Sequence, residues 1–209
     1  MNPITQFSLS IYLRFLPLLG TGFYYVIMPS LVVSLHTSIQ NVKLTVAIFF
    51  LGFTMSVFFS GSIIDQWGER KSYWCSVGIC VLGSLICIFS DNVNSMMLGR
   101  CLQGLSFGVV KVLSKTLIAN VRQAKWYDMY MIFKALGSAI SMLLTSLILV
   151  KFSWRMSFVF ILIWVFLFMP LAKYLPDSSC YSHRKNLFSQ FKYYTVFFYD
   201  PRFLPLILS

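Results

Sequence analysis

Charged residues are scarce in this sequence, and acids are the scarcest. Of the 209 residues, 11% are charged and only six are Asp or Glu, whereas 58% are apolar. Soluble domains carry about 25% charged residues. So few polar side chains cannot cover a water-facing surface, and the outside of the protein must therefore face lipid. The scarcity of charge excludes an ordinary soluble domain.

The groups that carry enzyme or metal chemistry are also missing. The two histidines, His36 and His183, do not stand at metal-ligand spacing from any cysteine, and no phosphate loop, nucleophile constellation or carboxylate pair is present. We therefore expect no enzyme activity, no catalytic residue, no metal and no cofactor. We expect the cysteines to be free and to pack as small apolar side chains, because neither lipid nor cytoplasm favours disulfides. They are Cys75, Cys80, Cys87, Cys101 and Cys180.

Long apolar runs fill the first 175 residues. Each run is long enough to cross a bilayer as a helix, which takes about 20 residues. None shows the alternation of apolar and polar residues that is typical of a strand. We therefore predict an all-α, polytopic membrane protein with six transmembrane helices. The runs cover residues 11–35, 43–64, 72–90, 95–119, 128–150 and 154–175.

The composition changes after Pro176. Residues 176–202 are mixed, basic and aromatic, which indicates a cytoplasmic linker with an amphipathic segment at the membrane interface. Residues 203–209, FLPLILS, begin a seventh apolar run that is too short to span a bilayer. We therefore divide the chain into a six-helix bundle over residues 1–175, a linker over 176–202, and the truncated start of a seventh helix over 203–209.

Basic residues are concentrated in alternate gaps between the runs. The gaps after the second and fourth runs and the tail after the sixth hold ten Lys and Arg residues, whereas the opposite gaps hold three. Because positive residues stay in the cytoplasm, we predict a multi-pass protein of the inner membrane with both termini cytoplasmic. The net charge of +11 is explained by this topology and by lipid headgroups, so we expect the bilayer and not nucleic acid as a partner.

A cluster of glycines and charges separates the second and third runs. Gly61, Asp65, Gly68, Arg70 and Lys71 form the pattern Gly-x-x-x-Asp-x-x-Gly-x-Arg-Lys. We expect Gly61 to let a helix end approach a neighbour closely and Gly68 to adopt the positive φ of a tight turn. We expect Asp65 to cap a helix N-terminus and to remain exposed. The pattern resembles the loop signature of the major facilitator superfamily.

A second pattern, Arg100, Gln103 and Gly104, lies inside the fourth run. Arg100 and Gln103 are three residues apart and share a helix face. A charged side chain within a span normally faces the bundle or a wet cavity, although a long side chain near a helix end can instead reach the headgroups. These residues resemble the Arg-x-x-Gln-Gly motif of the same superfamily. We expect Arg100 to face the bundle near Gln103, toward the first and fifth helices.

Two further elements resemble the same superfamily: SWRMSF at the start of the sixth run and FYYVIMPSL in the first. Their order and spacing most resemble the bicyclomycin and chloramphenicol resistance branch of drug:proton antiporters. The resemblance implies the N-terminal half of a carrier for a small solute, with drug or metabolite efflux as candidate activities. It also implies a three-plus-three inverted repeat and a second six-helix half as partner.

The sequence departs from that branch at several positions. Tyr25 stands where the branch usually carries an acid in the first helix, and no acid lies in the middle of any run. Gln66 and Glu69 stand where the family usually has bases. Proton relays need a titratable group within the membrane, so the usual carboxylate site is absent from this half. The alternative function is therefore a truncated or decayed six-span protein that does not transport, or a partner subunit of another membrane protein.

The cations inside the runs suggest the charge of the solute. Lys111 is eleven residues after Arg100, about three helical turns, so the two share a face. Lys111 either lines a cavity for an anionic or neutral solute or extends to the interface, whereas for Lys134 we favour the interface. The candidate substrate-cavity residues are Arg100, Gln103, Gly104, Lys111 and Tyr25.

Overall fold

A computed structural model describes residues 3–119, 121, 124–151 and 153–175, and these residues are helical apart from short connections. No strand occurs in the described residues, so the predicted all-α class is confirmed. The predicted linker and seventh helix lie outside them. The helices are α1 (Pro3–Ser34), α2 (Ile39–Trp67), α3 (Glu69–Ile88), α4 (Val93–Ala119), α5 (Ala124–Lys151) and α6 (Arg155–Phe168), and a 3-10 helix (Met169–Tyr174) follows.

The sixth span differs from its prediction. The first five helices are long and apolar enough to cross a membrane, but α6 has only 14 residues before the 3-10 segment begins. Pro170 has no backbone N–H and cannot continue the α-helical ladder, and Met169 already donates to the carbonyl of Phe166, three residues back. At 1.5 Å per α-helical residue and 2.0 Å per 3-10 residue, the two segments together extend about 33 Å, enough for a bilayer core of about 30 Å.

Polar caps explain why two helices begin before the apolar runs that predicted them. The Ser38 side chain accepts a hydrogen bond from the backbone N–H of Asn41 and caps α2. The Asn92 side chain accepts one from the N–H of Ser95, at 2.9 Å, and does the same for α4. Such caps satisfy backbone donors that the first helical turn leaves without partners.

The predicted turn between α2 and α3 is a single residue. Gly68 has φ 81° and ψ 161°, its N–H donates to Ile64, and its carbonyl accepts from Ser72. The predicted positive φ is therefore confirmed. The close approach expected at Gly61 is wrong, because α2 continues past it and an added Cβ there would meet no atom of the described residues within 4 Å. The capping role of Asp65 is also wrong, since Asp65 lies in the last turn of α2 and no described side chain caps α3.

α4 forms the centre of the bundle and packs most extensively against α2, and also against α3 and α1. Glycines allow the α2 and α4 backbones to meet. A Cβ added at Gly104 would lie 2.2 Å from the carbonyl oxygen of Phe49, and one at Gly108 would lie 2.7 Å from that of Phe53. Small residues have this role wherever membrane helices pack without a side-chain layer between them.

The helix pairing is partly symmetric. In a three-plus-three repeat, α1, α2 and α3 correspond to α4, α5 and α6. The α2–α4 pair then corresponds to the α5–α1 pair, and both pairs make extensive contact. The α3–α4 contact has a much smaller α6–α1 counterpart. Two of the main contacts thus follow the pattern of a three-plus-three repeat, and the third does not.

α2 and α5 lie at the edge of the bundle. Only 28% of the most apolar window of α2 and 22% of that of α5 is buried, compared with 56% for α4. Both helices accordingly carry large exposed apolar side chains, which face lipid or another protein. Those on α2 include Phe50, Leu51, Met55 and Phe58, and those on α5 include Ile132, Leu136, Leu143 and Leu147.

Candidate functional site

Arg100 lies in the interior of the bundle, about two turns into α4. Its side chain is only 1% exposed. Its Nη1 donates to the Gln103 side-chain oxygen at 2.9 Å and to the backbone carbonyl of Gly20 on α1 at 3.3 Å. The predicted interior orientation near Gln103 is therefore confirmed, and the alternative in which the side chain reaches the headgroups is wrong.

Two aromatic rings enclose the guanidinium. The carbon atom Cζ of Arg100 lies 4.0 Å from the centroid of Tyr24 on α1 and 4.1 Å from that of Phe49 on α2. Cation–π contacts of this kind contribute about 2 kcal/mol or more when water is excluded. Arg100 therefore faces α1, as predicted, but α2 rather than α5. α5 meets α4 at Ser114, which is 14 residues and about 21 Å along α4 from Arg100.

Hydrogen bonds extend from Arg100 to α3. The Gln103 side-chain amide donates to the Ser84 hydroxyl at 2.8 Å. The neighbouring Tyr24 hydroxyl bonds to that of Thr45 on α2. We call Arg100, Gln103, Tyr24 and Phe49 the arginine cluster. Its polar contacts join α1, α2, α3 and α4. The sequence pattern had predicted only the pair on α4, Arg100 and Gln103.

The charge of the arginine cluster is not neutralised by the described residues. The one salt bridge among them joins Arg155 to Asp91 and does not involve Arg100. Arg100 Nε is buried and donates to no atom of the described residues. An unpaired charge within a span is expensive and typical of a functional position. The cluster can therefore accept an anionic or hydrogen-bond-accepting group.

Tyr25 lies at the open side of the arginine cluster. Its side chain is 49% exposed, and together with Thr21 and Phe50 it borders a narrow crevice that ends at Arg100. The crevice has no room for a water molecule. A solute could reach Arg100 only if Tyr25 or Phe50 moved aside.

The other predicted cavity residues have different surroundings. Gly104 faces the α2 backbone, so the structure gives it a packing role. Lys111 is half-buried, and its Nζ lies 4.6 Å from the ring centroid of Phe53 on α2. It is eleven residues from Arg100, or about 16 Å along α4. Arg100, Gln103 and Tyr25 therefore come together, while Lys111 belongs to a different part of the bundle.

A cleft between α1 and α5, lined by two cations, was not predicted from the sequence. Its volume is about 380 Å³, and its charged lining residues are Arg14 on α1 and Lys134 on α5. Trp164 of α6 contributes to its wall. Arg14 is the one cation of the first apolar run, and that isolated charge is the signal that could have identified it. Lys134 is exposed, but it lines this cleft, which the interface interpretation did not anticipate.

The sequence profile of the Major Facilitator Superfamily matches residues 12–209. The chain belongs to the Major Facilitator Superfamily. Members of this superfamily are transporters and not enzymes, so membership confirms the expectation that the chain is no enzyme. It also confirms the family that the motifs of α2–α4 predicted.

Curated relatives are also described as transporters. An uncharacterized transporter of Rickettsia bellii is 26% identical in an alignment of 178 residues that covers 81% of this chain and 42% of the relative. The uncharacterized MFS-type transporter YdgK of Bacillus subtilis is 25% identical in an alignment of 193 residues that covers 83% of this chain and 48% of YdgK. The putative multidrug resistance protein MdtD of Citrobacter koseri is 26% identical over 130 residues, 62% of this chain and 28% of MdtD. The chain spans less than half the length of these relatives.

The superfamily loop pattern surrounds the Gly68 turn. Asp65 and Lys71 are exposed, as expected of Asp65, and Arg70 is half-buried. Glu69, which stands where the family usually has a base, is only 6% exposed, and its Oε2 has no hydrogen-bond partner in the described part of the chain. The charged residues thus extend from the last turn of α2 into the first turn of α3 rather than lying in a loop.

The element SWRMSF closes the opposite end of the bundle. Arg155 Nη2 donates to the Asp91 carboxylate at 3.0 Å and to the Ser90 carbonyl at 3.3 Å. Trp154 is buried and packs edge-on against Phe158. This superfamily element therefore connects the start of α6 to the end of α3.

Proposed function

We propose that this chain is the N-terminal six-helix half of a carrier that moves a small neutral or anionic solute across the inner membrane. The observation that carries the proposal is Arg100, a buried cation without a carboxylate partner among the described residues. Relatives described as transporters support the same class of function.

The arginine cluster recognises the solute at the end of the Tyr25 crevice. Outward movement of the Tyr25 ring opens the crevice, and the solute then accepts a hydrogen bond from the free Nε of Arg100. Gln103 holds the guanidinium in place through the 2.9 Å bond to Nη1. A fixed positive charge in a dry site attracts an anion and repels a cation far more strongly than it would in water.

Proton coupling through a carboxylate is not part of the proposal for this half. Among the described residues, the acids lie at or near helix ends: Asp65, Glu69, Asp91 and Asp128. Tyr25 occupies the usual acidic position on α1. We therefore propose the bicyclomycin and chloramphenicol resistance branch from span order and spacing. The carboxylate proton site of that branch is not part of this proposal.

A second six-helix bundle would complete the carrier. The exposed apolar faces of α2 and α5 provide the surface on which it would pack, and residues 176–202 would connect the two bundles. The Gly68 turn would then lie at the cytoplasmic gate, with both termini on the same side. The relatives, of which this chain matches less than half, have the length for such a second bundle.

Labelling of a cysteine at position 25 tests whether the crevice belongs to a solute path. In a cysteine-free carrier that contains both bundles, Tyr25→Cys should react with membrane-impermeant thiol reagents, and faster with an anionic reagent than with a cationic one. Arg100→Gln should remove that preference. Phe58→Cys, on the exposed face of α2, is the matched control and should react slowly with both reagents.

Solute movement in proteoliposomes tests transport itself. One bundle supplies only one wall of a path, so we expect the 209-residue chain alone to move no solute. Sustained transport by the chain alone would contradict the half-carrier proposal. Efflux of a cationic solute by any assembly containing the chain, retained in Arg100→Gln, would contradict the proposed solute charge.

A non-transporting membrane protein is the second candidate, favoured by Tyr25 in place of the expected acid. In that case position 25 would be covered by lipid or by a partner protein. Tyr25→Cys would then resist both thiol reagents, and no assembly containing the chain would move a solute. The labelling experiment therefore separates the two functions before any substrate is known.

A further inference from the structure

The cleft between α1 and α5 is separate from the arginine cluster. Arg14 and Lys134 line the same cleft and lie at similar distances from the starts of their helices, eleven residues after Pro3 and ten residues after Ala124. These spacings correspond to about 16 Å and 15 Å of helix. The two cations therefore lie at similar depth, well inside both helices.

Neither cation has a carboxylate partner among the described residues. Arg14 and Lys134 make no ion pair in the described residues, and Arg14 Nε is buried without a hydrogen-bond partner there. The charges of Arg14 and Lys134, together with Lys115, also act on nearby Lys111. These four cations, which have no counter-ion among the described residues, repel one another. A bound anion would weaken this repulsion and would accept a hydrogen bond from Arg14 Nε.

The rest of the cleft is mostly apolar and includes several aromatic side chains. Phe15 on α1, Phe133 on α5 and Trp164 on α6 contribute to the walls, and their rings suit a flat apolar body. The volume of about 380 Å³ lies within the range of small-molecule sites. The chemistry of the cleft is therefore that of an amphipathic ligand with a charged head and an apolar body.

We propose that this cleft binds an amphipathic organic anion, with its carboxylate or phosphate between Arg14 and Lys134 and its apolar body against the aromatic walls. The anion has two sources, a free aromatic acid or an anionic phospholipid, whose headgroups are known to bind in basic pockets between membrane helices. Binding requires only the described bundle, so the proposal holds or fails independently of transport.

Calorimetry on the 209-residue chain in phosphatidylcholine nanodiscs tests the site with 2-naphthoate as the probe. We expect saturable binding of 2-naphthoate and none of the neutral 2-naphthamide. Arg14→Gln and Lys134→Gln should each weaken binding about tenfold, the effect of losing one charge-assisted hydrogen bond. Lys43→Gln, which removes an exposed charge at the other end of the bundle, should bind like the unaltered chain.

A second set of nanodiscs, containing phosphatidylglycerol, identifies the source of the anion. Loss of naphthoate binding there, together with phosphatidylglycerol that co-purifies with the unaltered chain and not with Lys134→Gln, assigns the site to lipid. Unchanged naphthoate binding assigns it to a free acid. Equal binding of the amide, or unchanged affinity in Lys134→Gln, would overturn the proposal. Lys134 is exposed, so this variant remains informative if Arg14→Gln fails to fold.

Discussion

Gly104→Ala tests whether the glycine of the Arg-x-x-Gln-Gly motif serves packing or solute binding. The new Cβ would lie 2.2 Å from the Phe49 carbonyl oxygen and 3.0 Å from the Phe53 nitrogen. Non-bonded carbon contacts prefer about 3.5–4.0 Å, so α2 and α4 would have to separate by about 1 Å. The obstructing atoms are backbone atoms, which cannot rotate away as a side chain can.

The expected loss of stability follows from two opposing effects. Overpacking costs about 1–3 kcal/mol, and the backbone contact places this site near the upper end. Replacing a helical glycine with alanine stabilises the helix by about 1 kcal/mol. The net destabilisation is therefore about 2 kcal/mol, or a fall in Tm of about 4–8 °C for a chain of this size.

Gly61→Ala is the matched control. It places the same methyl group in α2, where no atom of the described part of the chain lies within 4 Å, so only the helix-propensity gain of up to about 1 kcal/mol remains. Thermal unfolding of both variants in the same detergent gives the comparison. Equal Tm values for Gly104→Ala and Gly61→Ala would refute the close approach of α2 and α4. Gly104 would then again be a candidate for the substrate cavity.

Three further predictions concern the charged ends of the helices. Asp91→Asn should lower stability by less than about 1 kcal/mol, because its ion pair with Arg155 is exposed; a larger fall in thermal unfolding would show that the pair holds α3 to α6 more tightly than an exposed contact can. Asp65→Asn should change stability by less than about 0.5 kcal/mol, as for most exposed positions, and a clear shift in Tm would reveal a partner for this carboxylate. An otherwise cysteine-free Lys71→Cys variant should be protected from an impermeant thiol reagent in intact cells and should react in inside-out vesicles, whereas reaction in intact cells would invert the predicted topology.

The sequence by itself determined the number and type of the helices. Apolar runs of about 20 residues can satisfy their backbone groups in lipid only as helices, so the runs predicted all six. The positive φ of Gly68 was predictable because a tight turn often needs a φ that other residues rarely adopt. The interior position of Arg100 was predictable because a charged side chain cannot face lipid cheaply.

Helix ends were predicted less well. The sixth run continues to Leu175, but its α-helix ends at Phe168 near Pro170. α2 begins four residues before its run, at the cap that Ser38 provides. Hydropathy averages over many residues, whereas caps and prolines act through single backbone hydrogen bonds. Those local bonds, which hydropathy does not register, decide where each helix starts and stops.

Only the tertiary structure decided which helices meet at each candidate residue. Arg100 contacts Phe49 on α2 rather than α5, and Gly104 packs against the α2 backbone. Periodicity places residues on a common face of one helix, but it does not state which neighbour that face meets. Arg14 and Lys134 are 120 residues apart in sequence, and they share a cleft because α1 and α5 pack side by side. The way α1 and α5 cross and the position of each residue along its helix set that proximity. Neither can be read from the pattern of a single helix.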